Sequence, residues 1–525
     1  MINAVNREIP DEILLKYHKE GFQGSRYRDG KYYQKAAPRV RGYVDPERGK
    51  IGESIQDAIR KCGGRDGMVF GFHHHFRDGD YIVNMVVQAA VEMGLRDITI
   101  AASSLGTAHD PVADYIEQGI VTGIQCSGIR GRIGEAVSHG KLKTPAIVRS
   151  HGGRVRAIEE GDVHIDIAFI GAPTCDEYGN ARALGGKSDC GVLSYSKVDA
   201  RYADHVVVIT DCLVPYPNVP ASISQVDVDY VVVVDQIGNP KKIASNVVRM
   251  TQDRRELMMA EYCTQLIAES PYFKDGFSFQ TGAGGASLAV NTMLQPILEE
   301  KGIQLGFAIG GITKPMCELL DAGLVRKIVD AQAFDTFAIE SLRTNPNHIE
   351  ISTSEYANPM NKGAYVNKLD FVILGALEVD VDFNVNVTTG SDGVLRGAPG
   401  GHPDTAAGSK CSIIVAPLVR TRIPTICDRV TTVVTPGEDV DIVVTDYGIA
   451  INPRRQDLIE AYKDSNLPFK TIEELRDIAY SMLGAPEPIQ FKDNVVALIE
   501  ARDGTILDVV REVDEYKFAE NQDCL

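Results

Sequence analysis

The chain contains two copies of one pattern. Asp166 to Ala181 reads DIAFIGAPTCDEYGNA, and Asp370 to Val385 reads DFVILGALEVDVDFNV. Asp166 and Asp370, Gly171-Ala172 and Gly375-Ala376, Asp176 and Asp380, and Asn180 and Asn384 correspond without a gap, each pair 204 residues apart. HVVVIT from His205 matches SIIVAP from Ser412, and DYVVVVDQIG from Asp229 matches DIVVTDYGIA from Asp441. Upstream, VNMVVQAAVEMG from Val83 resembles VNTMLQPILEEKG from Val290. A period this long excludes a solenoid and predicts two copies of a whole domain, over 55–240 and 241–455. Residues 1–54 are then an extension, and 456–525 a tail.

Within each copy, short apolar runs alternate with helix-period segments. GMVFGF, a helix from Asp80 to Met93, and DITIAAS are followed in the second copy by GFSFQT, a helix from Ala289 to Lys301, and LGFAIG. Continuous apolar runs mark strands buried on both faces of a parallel sheet. The expected fold class is therefore α/β, with two tandem doubly wound domains, each around a mostly parallel sheet. Such sheets bind ligands beyond the carboxyl ends of their strands. The tail is expected to hold a helical stretch from Gln456 to Leu483, then a hairpin turning at Arg502-Asp503-Gly504.

The net charge of −18 argues against a nucleic-acid or anionic-membrane binder. No apolar run approaches the length of a membrane span, and no signal-peptide core opens the chain. The ten cysteines are scattered without a Cys-x-x-Cys pair, which disfavours a disulfide framework or structural zinc. A cytoplasmic protein is expected.

The repeat also places the chemistry. The first strand of copy one runs into GFHHHFRDGD, and that of copy two into Gln280-Thr281-Gly282-Ala283-Gly284-Gly285. Loops between strand and helix expose backbone N–H groups to anions. His73, His74, His75 and Arg77 can form a carboxylate-binding loop, a structural cap or part of a metal site. An extended backbone points neighbouring histidines apart, which disfavours a metal. Ser103 and Ser104 follow the next strand of copy one, and Gly310 and Gly311 that of copy two. A later cluster holds Gly397, Gly400 and Gly401. Each cluster alone is compatible with plain turns; together they suggest a shared thioester or phosphate pocket. The basic, tyrosine-rich arm from Arg26 to Arg41 can dock an acidic partner or fold onto its own acidic surface.

The runs GAYVNKLDFVILGALEVDVDFNVN, RGAPGGHPDTAAGSKCSIIVAPL and DVDIVVTDYGIA resemble the CoA-transferase superfamily. GFHHHFRDGD and QTGAGGASLAVN look like its citrate lyase alpha-subunit family in particular. The resemblance implies CoA-transferase-like domains and a transfer reaction: acetyl–acyl carrier protein and citrate give citryl–acyl carrier protein and acetate, with free acetyl-CoA as another donor. It implies citrate lyase beta and gamma (acyl carrier) subunits as partners and a homo-oligomer. The phosphoribosyl-dephospho-CoA arm of the carrier would be a substrate, with no cofactor covalently bound to this chain. Set beside the loop reading, this reaction puts Gly282, Gly284, Gly285, Gly310 and Gly311 in the expected catalytic loops. His73–His75, Arg77, Ser103 and Ser104 would hold citrate, and Gly397, Gly400, Gly401 and Glu378 the CoA or carrier arm. No metal ligand is assigned.

Wider relatives carry a nucleophilic glutamate. Aligning Glu318-Leu319-Leu320-Asp321-Ala322-Gly323 puts Gly310 or Gly311 at that position. Direct attack by citrate through a mixed anhydride would need no such residue. The alternatives are a covalent glutamyl-thioester transferase or acyl-CoA hydrolase, using Glu340, Glu355 or Glu378, and a non-catalytic sugar-phosphate sensor.

Overall fold

The computed structural model describes residues 1–2, 8–16, 47–244, 251–282 and 284–514. The basic arm at 26–41 lies outside them. Two large sheets organise the rest. In the first, the spatial order is Ile506–Val513, Phe491–Glu500, Ala146–Arg149, Val121–Cys126, Ile98–Ala102, Val69–Phe72, Ile167–Ala172, His205–Thr210 and Tyr230–Val233. In the second it is His348–Glu350, Ile328–Ala333, Phe307–Ile312, Ser278–Thr281, Phe371–Gly375, Cys411–Val415, Ile442–Thr445 and Gly448–Ile451. Both halves place their first strand centrally, strands two to four on one side and five to seven on the other. Those seven strands are parallel in each. The α/β class with mostly parallel sheets is thus the observed one.

The repeated residues explain why two diverged sequences keep this order. Asp166 accepts from the Val69 N–H at 2.8 Å, and Asp370 from the Ser278 N–H at 2.8 Å. Each aspartate thus ties the start of a fifth strand to the start of its first. Asp229 and Asp441 do the same for the sixth strands, accepting from Val206 and Ser412. Asp176 Oδ1 accepts from the Tyr178 and Asn180 N–H groups, and Asp380 Oδ1 from those of Asp382 and Asn384. These side chains satisfy backbone donors in a turn that no ladder serves.

Strand burial accounts for the apolar runs. Every residue of Ile167–Ala172 and of Ile328–Ala333 is buried, as expected of strands covered on both faces. The helix predicted from Asp80 to Met93 spans Ile82–Glu92, burying Ile82, Val83, Val86, Val87, Ala89 and Ala90 along one stripe. The second-copy helix begins earlier than its periodicity suggests, at Gly285, directly after the glycine loop. The predicted helix over Gln456–Leu483 is two, Gln456–Ala461 and Ile472–Leu483. Pro468, which cannot continue a helix, lies in the break.

The residues after 455 divide between the halves. Leu458 and Tyr462, then Leu475 and Ala479, join the cores on the two faces of the second sheet. The hairpin turning at Arg502–Gly504 instead extends the first sheet, with Phe491–Glu500 parallel to Ala146–Arg149. Arg149 fastens it through a buried bidentate pair with Glu500, at 2.7 and 2.8 Å. Asp404 of the second half accepts from Ser150 Oγ and the Gly152 N–H of the first, both at 2.8 Å, and from Arg502 Nε of the hairpin at 3.0 Å. One fully buried carboxylate therefore joins both halves and the hairpin.

Candidate active site

The carboxyl ends of strands from both sheets open into one cavity of about 470 Å³, within the usual range for a small-molecule site. From the first half it is lined by His74, Arg77, Asp78, Ser104, Arg130, His151 and Tyr195. From the second come Gln280, Thr281, Gly282, Gly310, Gly311, Gln332, Phe334 and Tyr356, with Gly400, Gly401 and His402.

The three histidines separate as an extended backbone requires. His73 and His75 stack at 5.9 Å on one side, while His74 faces the cavity and stacks on His151 at 5.4 Å. His73 sits 2.9 Å from buried Asp199, which Arg154 also holds through two hydrogen bonds. Burial alone would raise the Asp199 carboxyl, but the Arg154 guanidinium and the hydrogen bonds to it hold it down at about 2. His75 donates to the Gly171 carbonyl, and its burial beside His73 lowers its pKa to about 4. These two histidines brace the loop from behind rather than lining the cavity. Ser103 is likewise fully buried, with its Oγ bonded to the His74 backbone and ring.

Arg77 adopts a left-handed φ of 51°, turning its side chain toward the second half. Its Nη1 donates to the Phe334 carbonyl at 3.0 Å, and its guanidinium lies 4.6 Å from the Phe334 ring centroid. Burial, with Arg130 nearby, lowers its pKa, yet a guanidinium remains charged. Arg130, exposed at the cavity, has no carboxylate partner among the described residues. Burial, followed by His151, His75 and Arg130, pushes the pKa of His74 well below the imidazole range. Burial, then Arg154, lowers His151 to about 3. At neutral pH the cavity combines fixed arginine charge with neutral imidazoles.

The glycines act mainly by yielding space. Gly310 and Gly311, expected in a loop, lie inside the strand Phe307–Ile312, at a break in its register with Ile328–Ala333. A β-carbon on Gly311 would stand 1.7 Å from the Phe334 ring, and one on Gly310 2.6 Å from the Gln280 amide. Their bareness admits those side chains to the cavity wall. Gly282 lines the cavity, but its N–H already donates to the Ile373 carbonyl at 3.0 Å. Gly284 and Gly285 fall outside the lining and open the helix Gly285–Lys301. Gly400 and Gly401 line the cavity, whereas Gly397 packs against the Val387 carbonyl.

Glu378 belongs to a separate cleft with Arg420 and Asp392, and accepts from Asn386 and Thr431. Glu355 closes a capping box on Ser352, and Glu340 pairs with Arg343 on the surface. Among the described residues, no glutamate lines the main cavity, and Asp78 is its one carboxylate.

Several lining residues escaped the sequence reading: Arg130, His151, Tyr195, Gln332 and Tyr356. Arg130, His151 and Gln332 follow or end the third and fourth strands of their copies. Inspecting every strand end, rather than glycine and histidine clusters alone, would have reached them.

Residues 48–513 match the family described as "Citrate lyase, alpha subunit". The chain belongs to the citrate lyase alpha-subunit family. The citrate lyase alpha chain of Haemophilus influenzae is 52% identical over 466 residues, covering 89% of this chain and 93% of that one. The alpha chain of Escherichia coli K12 is 51% identical over 466 residues, covering 89% and 91%. A Streptococcus mutans protein described as the alfa subunit of citrate lyase, solved in complex with citrate, has a TM-score of 0.90 at 52% identity. The match covers 98% of this chain and 100% of that chain. The alpha subunit of an Acinetobacter baumannii malonate decarboxylase, 17% identical with a TM-score of 0.61 over 82% of this chain and 87% of that one, shares the fold alone. Membership in the citrate lyase alpha-subunit family confirms the resemblance seen in the sequence.

Proposed function

We propose that this chain is the transferase component of a citrate lyase, moving a carrier thiol from acetate to citrate. The observation that carries this reading is the cavity's composition: two arginines and neutral donors, with no glutamate among its described lining residues. A tricarboxylate needs charged or donor partners for the carboxylates that do not react, because leaving them dry and unpaired costs several kcal/mol. Arg77 and Arg130 suit two of them, and the S. mutans relative was solved with citrate.

In the proposed reaction, a citrate carboxylate oxygen attacks the acetyl thioester carbonyl. A C–O bond forms, the C–S bond breaks, and a mixed anhydride and a thiolate result. The thiolate then attacks the citryl carbonyl, and acetate leaves with the bridging oxygen. Holding both reactants in one enclosed cavity contributes on the order of 7–11 kcal/mol. Among the described residues, the lining offers neither a thiol nor a glutamate to intercept the anhydride. The acyl donor is acetyl-CoA or the acetylated phosphoribosyl-dephospho-CoA arm of a carrier (gamma) subunit, and a beta subunit cleaves the citryl thioester in a complex that holds several copies of this chain.

The test is a single turnover with carboxylate-¹⁸O citrate and unlabelled acetyl-CoA. Direct attack puts one labelled oxygen into the first acetate released. Unlabelled first-turnover acetate, with a glutamyl thioester trapped by hydroxylamine, would instead establish a covalent enzyme intermediate.

A further inference from the structure

Gln332 is bonded on one side of its amide only. Its side chain is 5% exposed, it lines the cavity, and its Nε2 has no hydrogen-bond partner. A buried amide donor is rarely left unpaired, and each such group costs stability until something satisfies it. Its Oε1, by contrast, lies 3.0 Å from His74 Nε2. An amide oxygen can only accept, so His74 Nε2 carries the proton. Ser103 Oγ takes the His74 backbone N–H at 2.9 Å and lies 2.6 Å from His74 Nδ1. With the ring neutral, the Ser103 hydroxyl donates to Nδ1 and fixes the tautomer. Ser103 and His74 belong to the first half and Gln332 to the second, where it pairs with Gly311 just past the break in the register.

We infer that Gln332 is a substrate-binding residue, its amide N–H groups donating to a carboxylate oxygen of the acid substrate, and that Ser103 and His74 are positioning residues that aim it. This rests on the transferase reading for the identity of the acid. It adds a neutral donor, set from the opposite half, to the charged arginines. A fixed amide contributes direction where a mobile cation contributes charge.

Citrate and acetyl-CoA titrations by calorimetry on the full chain test this. Q332A is expected to weaken citrate by about 10- to 100-fold, with acetyl-CoA affinity near that of the wild type. Q332E keeps an acceptor for His74 but loses the donors, and should be at least as weak. H74L should lose about tenfold, and H74Q, which can still donate to Gln332, should recover most of it. Wild-type citrate affinity in Q332A would overturn the inference. If the wild-type chain took no citrate, the transferase reading would fall, and the ring ¹⁵N shifts of His74 would still decide this one. A protonated Nε2 supports the relay. A protonated Nδ1 would mean that the amide is reversed, with its oxygen toward the cavity, and the inference would be wrong.

Discussion

At the ends of their corresponding first strands, one half presents His74 and Arg77 and the other Gln280, Thr281 and Gly282. The contrast continues around the cavity. The first half supplies Arg130 and His151, and the second Gly310, Gly311 and Gln332. The scaffolds, meanwhile, remain alike down to the aspartates that clasp Val69 and Ser278. The shared topology provides two equivalent sets of strand ends, and they differ in chemical type. One set carries charge and imidazoles; the other carries amides and space. Under the proposed transfer reaction, the anion and the bulky thioester would each be met on a different sheet.

The most severe way to break this arrangement is to remove what joins the halves. D404A would strip a buried acceptor from Ser150, Gly152 and Arg502. The expected loss is about 3–5 kcal/mol of stability, read as a fall in the denaturant midpoint, with transfer activity lost alongside. A retained midpoint would show that the halves hold together without this carboxylate.

Next in size are changes to one side only. G311A forces a methyl group against Phe334, which also carries Arg77 on its ring and carbonyl. Overpacking costs about 1–3 kcal/mol, and displacement of Arg77 should reduce citrate affinity. R77A should weaken citrate by about 10- to 100-fold and leave acetyl-CoA nearly unaffected. R77K should restore little, because the bidentate fork and the stacking on Phe334 are lost. Equal losses for both substrates in R77A would dissolve the proposed division of labour.

A smaller effect compares one histidine from each half. Burial depresses His151 to about 3 and His402 to about 4. Between those values and the unfolded pKa near 6.5, the unfolded chain binds the proton more readily. Stability is therefore full above about pH 6.5 and falls as pH drops through that window, by about 1.4 kcal/mol per pH unit for each histidine. H402Q should remove one share of the slope and H151Q another, measured as denaturation midpoints from pH 7.5 to 5. An unchanged slope in both variants would show that neither ring is buried neutral.

The smallest change is expected from E378Q, which touches the neighbouring cleft. Transfer should stay within about threefold of wild type, the scale of a neutral surface-like substitution. Complete inactivation would move the chemistry to that cleft.

Much of this was legible in the sequence because the repeated residues have fixed jobs. Asp166, Asp176 and Asn180 recur at one spacing because each bonds a particular backbone group, so their pattern survived when the apolar residues drifted. Glycines at strand ends marked the cavity for a similar reason: Gly311 cannot be replaced without moving Phe334. Tyr195, Gln332 and Tyr356 gave no such sign. Each is an ordinary residue locally, and its position matters only through a partner far away in the chain, as with His74 and Gln332, 258 residues apart. The destination of the hairpin was hidden in the same way. Its alternation announced two strands but not that Ala146–Arg149 would be their neighbour.

That last pairing sets a schedule. Arg149 and Glu500 are 351 residues apart, so on a ribosome making the chain from its amino end, the first sheet waits through the whole synthesis of the second half. Until then Ala146–Arg149 is an open edge, offering unpaired backbone groups to any strand of a neighbouring nascent chain. The protein therefore carries a window of vulnerability in its birth rather than in its finished form, and anything that slows translation between the two halves lengthens it.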